Sequence, residues 1–584
     1  MATDAVEAGR RTLARAAVTA AERYGDRVAM RHPDDGEWRE RTFAEVRKLV
    51  DELALGLVAL GLEPGDRASI LANTRPEWTF ASLAISRAGG VVVPIYPTNS
   101  PEECEWVAGN SEARMVVCED ASQADKIAQV HGRLERLEHV ILMSSLEDLR
   151  ERGRGADSSE LERRCDQVSP DDPYTFIYTS GTTGPPKGVV LTHGNCASVG
   201  VMDEEIGFVT KEDVSYLYLP LAHAYALTLQ LASFDVGGTI VYFGGNPKQI
   251  IPELQETKPT FLPSVPRIFE KIYALATAAA EGQEQLRQAV ELGVRVRGME
   301  RRGEEVPEDL RAGFDKADGA LYRNVRGLFG GRVKLAVSGA APISGEILEF
   351  FYACGVPVVE GWGMTETSGV GCVNTLDQLR FGTVGRPLPG VELRIADDGE
   401  VLTKGPNVFN EYWGNPEATR ETFTEDGWLL TGDLGSVDED GFLSITGRKK
   451  DIIITAGGKN LTPANLENDI QQSRWVSRAV MYGDRRPYPV ALISLDPEEI
   501  LPWAKERGLP EDMPSLVGRD EVRELIQAEL DRANAKYAQV EQIKKFELLV
   551  RDLSQEAGEL TPTDKVKRNV VNERYADMFE RMYG

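Results

Sequence analysis

The stretch from Tyr178 to His193, YTSGTTGPPKGVVLTH, sets small hydroxyls, glycines and a single lysine between two apolar runs. A backbone freed at Gly181, Gly184 and Gly188 can turn several amide N–H groups inward. Ser180, Thr182 and Thr183 add hydroxyl donors, and Lys187 supplies the positive charge that a polyphosphate needs. This is not a Walker A loop: that pattern wants Gly where Pro186 stands, Ser or Thr where Gly188 stands, and a helix straight after the lysine. Here GVVLTH continues as a strand. Taken alone, the stretch fits a phosphate loop and a plain Gly/Thr hairpin equally.

Other segments carry similar potential. In VVEGWGMTET (Val358 to Thr367), Gly361 and Gly363 would let a flat base slide against backbone, and Trp362 offers either a stacking face or core packing. Glu366 is a hard oxygen donor suited to Mg2+, or else a solvated loop carboxylate. Thr365 can donate to a phosphate or carbonyl oxygen. TGDLG (Thr431 to Gly435) places Asp433 in a glycine-flanked turn, and GRKKDIIITAGGKN follows with Arg448, Lys450, Gly458 and Lys459. GELTPTDKVKRNVV, close to the C-terminus, offers Lys565 and Lys567.

The elements that must position these residues are legible as patterns. TFAEVRKLVDELALGLVALG opens with a capping box, Thr42 with Glu45, runs apolar at helical spacing and stops at glycine. DRASILAN reads as a strand, PEWTFASLAISRAGG as a helix and VVVPIYPT as a strand. This alternation predicts a parallel sheet with covering helices. After the glycine loop, THGNCASVGVMDEEIG reads as a helix and GTIVYFGG as a strand, and a long charged helical stretch fills about 274–328. From about Gly371 the texture changes to short strands with frequent Gly/Pro turns, as in a small β-barrel or sandwich. A compact mixed segment ends the chain, with the boundary at Arg448 to Asp451.

At 584 residues the chain exceeds what one core supports. Its 66 basic and 93 acidic residues give a net charge of -27, which disfavours nucleic acid and anionic lipid as partners but leaves room for peripheral membrane contact. The six cysteines are scattered without metal-ligand spacing and read as buried thiols in a reducing compartment. With no secretory signal and no apolar run of membrane-spanning length, a cytoplasmic protein is expected.

The motifs together resemble the adenylate-forming enzymes, the superfamily of acyl-CoA synthetases, luciferases and peptide-synthetase adenylation domains. Within it, LPLAH in YLPLAHAYAL, the charged helical insertion and LTPTDKVKR resemble the long-chain fatty acyl-CoA synthetases. The resemblance implies an α/β fold: a large N-terminal domain (1–447) of two parallel-type α/β subdomains plus a small β-barrel, a hinge (448–451), and a mobile small α+β C-terminal domain (452–584). It implies ATP, Mg2+ and CoA, with a fatty acid as substrate, and leaves a homodimer open. Thr179, Ser180, Gly181, Thr182, Thr183, Gly184 and Lys187 would hold phosphates. Gly339, Ala340 and Ala341 of SGAAPIS, with Gly361, Trp362 and Gly363, would hold adenine. Asp433 and Arg448 would hold the ribose. Lys450 would be the pivot, and Gly458 and Lys459 would border the CoA channel after rotation. Glu366 and Thr183 would hold the metal. Lys565, rather than Lys567, would be the adenylation lysine, with Lys567 and Arg568 adding positive field; Thr365 and His223 complete the catalytic set. The chain departs from many relatives at AYAL, after His223. A ligase with another acceptor, such as a fatty acyl-AMP ligase or an acyl-carrier-protein ligase, would share the first step. It would be marked by an insertion near the hinge, which TGRKKDIIITAGG lacks. An inactive adenylate-binding protein would have lost Lys565 or Glu366; both are present.

Overall fold

The computed structural model describes residues 11–34, 36–179, 185–278, 283–456, 459–561 and 564–584. The strands on either side of the glycine-rich stretch belong to a seven-stranded sheet. Its spatial order is Glu411–Tyr412, Lys187–Thr192, Pro173–Thr179, Val91–Ile95, Arg67–Leu71, Met115–Cys118 and His139–Leu142. The strands from Pro173–Thr179 onward are parallel. Lys187–Thr192 pairs antiparallel with Pro173–Thr179, with Lys187 opposite Thr179, so the lysine opens a strand. The helix His193–Glu205 then starts at Thr192, whose capping box with Asn195 satisfies amides that a helix start leaves orphaned. The expected box at Thr42 and Glu45 likewise starts Phe43–Ala59.

A second sheet of nine strands holds a parallel run from Val358–Trp362 through Leu335–Ser338, Phe261–Ser264, Val214–Leu217 and Thr239–Tyr242 to Val28–Asp34. Ser338 and Glu360 lie opposite one another at the carboxyl ends of neighbouring strands. SGAAPIS and GWGMTET leave from there, the usual place for a ligand crevice in an open parallel sheet. The small β unit is a four-stranded antiparallel sheet, Glu392–Ile395, Glu400–Lys404, Leu429–Val437 and Leu443–Arg448. It stays open between its edge strands, since four strands are too few to close around a filled interior.

Beyond Arg448 the chain builds a core of its own. Val476–Tyr482, Val490–Leu495 and Lys545–Leu548 form a mixed sheet, and Ile493, Ile526, Leu530 and Phe546 are buried between it and its helices. All six cysteines are buried and unpaired. Among the described residues no helix is long and apolar enough to cross a membrane.

Candidate active site

Asp433 is the centre of the best-defined cluster. Strand pairing sets it opposite Arg448, whose Nε reaches Asp433 Oδ1 at 2.9 Å. The indole N–H of Trp362 donates to the other oxygen, Oδ2, at 2.8 Å. Thr431 Oγ1 accepts the Asp433 amide at 3.1 Å, and the amide of Gly432, a residue in the left-handed region, donates to Glu400 Oε1 at 2.8 Å. A carboxylate fixed on both oxygens keeps lone pairs for further donors such as vicinal hydroxyls. Of the two roles open to Trp362, its ring takes core packing. Its ring is buried with Cys372, Val401 and Leu443, because the N–H must turn inward to reach Asp433.

Thr365 and Glu366 lie buried in the short turn Thr365–Thr367. Ser368 and Gly369, both with positive φ, bend the chain back, and Asn407 Nδ2 holds the carbonyls of Thr367 and Val370. That bend explains Gly363: a Cβ there would stand 2.5 Å from the Gly369 carbonyl oxygen. Its missing side chain therefore makes room for the turn rather than for a base. At Gly361 an added Cβ would make ordinary contacts, 3.4 Å from the Cys372 carbonyl oxygen.

The Tyr412 phenol donates to Glu366 Oε1 at 2.8 Å, and the Lys187 ammonium sits 5.0 Å from the centre of the same Tyr412 ring. Glu411–Tyr412 pairs with the strand that Lys187 opens, so one sheet edge ties the loop lysine to the buried glutamate. Thr179 ends the preceding strand; Ser180, Gly181, Thr182, Thr183 and Gly184 lie outside the described residues. Mg2+ usually takes one or two carboxylates and fills its remaining positions with water and substrate phosphate. Glu366, a buried lone carboxylate with one oxygen steadied by Tyr412, fits that donor set.

Gly339 follows Leu335–Ser338, where an added Cβ would come 3.4 Å from the Tyr225 ring, and Ala340 takes φ 67°. Ala340 and Ala341 are exposed, and the Ser338 hydroxyl is buried without a hydrogen-bond partner. Burial pushes Glu360 up to about 8, partly offset by a backbone hydrogen bond from Ile343. Glu360 stands inside VVEGWGMTET, where nothing in the residue string marks its carboxyl as buried. Tyr412 lies outside every motif, and only strand pairing brings it to Glu366.

His223 caps the helix Ala224–Asp235, and its Nδ1 accepts the Tyr225 amide at 3.2 Å. Burial, then the charge of Lys565, lowers its pKa to about 3, so it is neutral at physiological pH. Lys565 is exposed, in surroundings that displace part of its water. Loss of bulk water lowers its pKa to about 8; Arg448 and Lys450 push the same way, while Asp433 and Glu366 oppose them. Lys450 is exposed in the turn Lys449–Asp451, its pKa also lowered by partial loss of surrounding water and by Arg448. Asp433, Arg448, Lys450 and Glu366 thus all act on the Lys565 charge, which in turn acts on His223. Arg568 adds no free positive field, because both its terminal nitrogens engage the Glu467 carboxylate. Lys459 pairs with Glu541 at 3.6 Å; Gly458 lies outside the described residues.

Residues 18–413 match the AMP-binding enzyme family, and residues 450–584 match the AMP-binding enzyme C-terminal domain. The chain is 41% identical over 561 residues to the long-chain-fatty-acid–CoA ligase FadD15 of Mycobacterium bovis, covering 94% of this chain and 93% of that protein. It is 31% identical to the long-chain-fatty-acid–CoA ligase ACSBG2 of Xenopus laevis, over 96% of this chain and 82% of that one. Among solved structures, an anthranilate CoA ligase in complex with anthranoyl-AMP superposes with a TM-score of 0.73 at 20% identity, covering 97% of each chain. The adenylation domain of a carboxylate reductase from Mycobacterium chelonae gives 0.77 at 22% identity, over 99% of this chain and 92% of that one. These two establish likeness of fold.

Proposed function

Because this chain belongs to the AMP-binding enzyme family, we propose that it activates a long-chain fatty acid with ATP and passes the acyl group to CoA, releasing AMP and pyrophosphate. One observation carries the reading. Lys565, delivered by the last part of the chain, shares an electrostatic neighbourhood with His223, Glu366, Asp433 and Arg448 from the preceding parts. The long-chain acid is supported by relatives that align over nearly the whole sequence.

In the first step a carboxylate oxygen of the acid attacks the α-phosphorus of ATP. The bond to the bridging oxygen breaks and pyrophosphate leaves. Lys565, as an ammonium, offsets the charge that grows on the phosphoryl oxygens. Asp433, fixed by Trp362 and Arg448, accepts the ribose hydroxyls. Thr365 and the neutral His223 border the reacting carboxylate, and Lys187 with the loop 180–184 holds the departing phosphates. Gly339 to Ala341 and Gly361 edge the adenine pocket. Glu366, with Thr183, would hold Mg2+, whose charge supplies Lewis-acid stabilisation when bound. In the second step the CoA sulfur attacks the acyl carbonyl carbon, the acyl–phosphate bond breaks, AMP leaves and the thiol proton passes to solvent.

Two steps on one cleft call for a change of occupants. The proposal divides the chain at the hinge 448–451, pivoting at Lys450, so that residues 452–584 withdraw Lys565 and bring Gly458 and Lys459 over the acyl-adenylate. The six buried thiols suit the reducing cytoplasm that this reading includes.

The test is direct. Labelled oleate and ATP are expected to give oleoyl-adenylate and pyrophosphate, and added CoA to give oleoyl-CoA and AMP. Adenylate that CoA fails to convert would overturn the assignment of the acceptor.

A further inference from the structure

We propose that Glu559 is the positioning residue for Lys565, a buried carboxylate from which the loop carrying that lysine hangs. The proposal rests on the adenylation role given to Lys565 above. Glu559 has no solvent exposure and lies under a surface layer of two part-exposed arginines. Arg551 approaches it with both terminal nitrogens at 2.7 Å, one on each carboxylate oxygen. Arg574 and the Tyr575 phenol each donate to Oε1 at 2.8 Å, and the Ser554 amide donates to Oε2 at 3.1 Å. Burial would raise this carboxyl's pKa, but the five donors outweigh it and hold the group at about 2. It is charged throughout the working range.

What makes the cluster more than a stabilising ion pair is where its backbone leads. The amide of Lys567 donates to the Glu559 carbonyl at 2.8 Å, and Leu560 pairs with Val566 across an antiparallel bridge. Inside that bridge the Thr561 amide donates to the Lys565 carbonyl at 2.8 Å, while the Lys565 amide donates to Thr561 Oγ1 at 3.1 Å. Both stems of the lysine loop therefore meet at one residue. The side chain of that residue is gripped by the segment after Lys545–Leu548 and by the junction of the helices Arg568–Arg574 and Ala576–Tyr583. Turning or freeing the Glu559 carboxylate moves both stems, and with them an ammonium whose task depends on position. A displacement near 1 Å costs on the order of 10²-fold in such a step.

The experiment uses the full-length protein and two half-reactions: ATP-dependent oleoyl-adenylate formation, and thioester formation from supplied oleoyl-adenylate and CoA. Glu559→Gln is expected to lower the kcat of adenylation about 10²-fold, by displacing the lysine. KM for ATP and oleate should stay within about twofold, and so should thioester formation. Tyr575→Phe removes a single donor and serves if Glu559→Gln fails to fold; it is expected to lower the same kcat about threefold to tenfold. A folded Tyr575→Phe protein whose two half-reactions fall together, or whose adenylation is unchanged, overturns the proposal. Lys565→Ala in the same assays separates the premises. If it spares adenylation, the reading of Lys565 fails; if it abolishes adenylation while the Glu559 and Tyr575 variants do not, the positioning role alone fails.

Discussion

Trp362→Phe isolates the part of the site that the structure fixes most tightly. The substitution keeps an aromatic ring among Cys372, Val401 and Leu443 and removes the N–H that meets Asp433 Oδ2 at 2.8 Å. A hydrogen bond to a charged group contributes about 1.5–3 kcal/mol, which corresponds to roughly 10- to 150-fold in an equilibrium or rate constant. Asp433 keeps Arg448 at 2.9 Å on its other oxygen, so the lower part of that range applies, about 10- to 30-fold. Ribose contacts are made before and during the chemical step alike, so the loss should fall on KM for ATP with kcat within about threefold. Initial rates of pyrophosphate release against ATP at saturating oleate measure it, with thermal unfolding as a control. The smaller ring should lower stability by about 1–2 kcal/mol. An unchanged KM beside that stability loss would mean that Trp362 only fills space and that Asp433 does not depend on it.

Further consequences can be measured on the same protein. Lys565 must carry a proton to act, and its pKa is lowered to about 8. The free-enzyme kcat/KM of adenylation is therefore expected to be full near pH 7 and to fall as pH rises through about 8. His223, held at about 3 by burial and by Lys565, should add no acid limb near 6.5. Tyr412→Phe frees the Glu366 oxygen that the phenol holds at 2.8 Å; the free Mg2+ for half-maximal adenylation should rise about tenfold, in line with outer-shell partners. Arg267 meets Asp496 at 3.0 Å, and Lys271 and Lys248 reach Glu498 at 3.2 and 3.6 Å, joining the N-terminal part to the last domain. Exposed pairs contribute at most about 1 kcal/mol each. Asp496→Asn with Glu498→Gln should therefore slow adenylation by about twofold to fivefold at low salt, with the difference vanishing as ionic strength screens it.

Much of the site could be read from the residue string because its parts are local. The hairpin around the glycine loop follows from alternation on both sides of it, and the helix starts at Thr42 and Thr192 are written in their capping boxes. The opposition of Asp433 and Arg448 needs the register of two strands, yet TGDLG and GRKKDIIITAGGKN each carry one of them. What stayed hidden depends on distant segments. Tyr412 reaches Glu366 across 46 positions through a sheet edge that has no periodic signature. Gly363 looked like a place for a base until the bend at Ser368 and Gly369 gave it another use. Trp362 was legible as an aromatic among glycines, but its direction was not, since only the position of Asp433 turns the indole inward. Arg568 stood beside the lysines as a free charge, and Glu467, 101 positions away, neutralises it.

In the proposed reaction Lys565 serves adenylation and not acyl transfer. Lys565→Ala, assayed in the two half-reactions, tests it most directly. Oleoyl-adenylate formation is expected to fall about 10²- to 10³-fold, the usual loss when one stabiliser of developing charge is removed. Thioester formation from supplied oleoyl-adenylate should stay within about threefold of the unmodified protein. An equal fall in both steps, or an unchanged first step, would contradict the account.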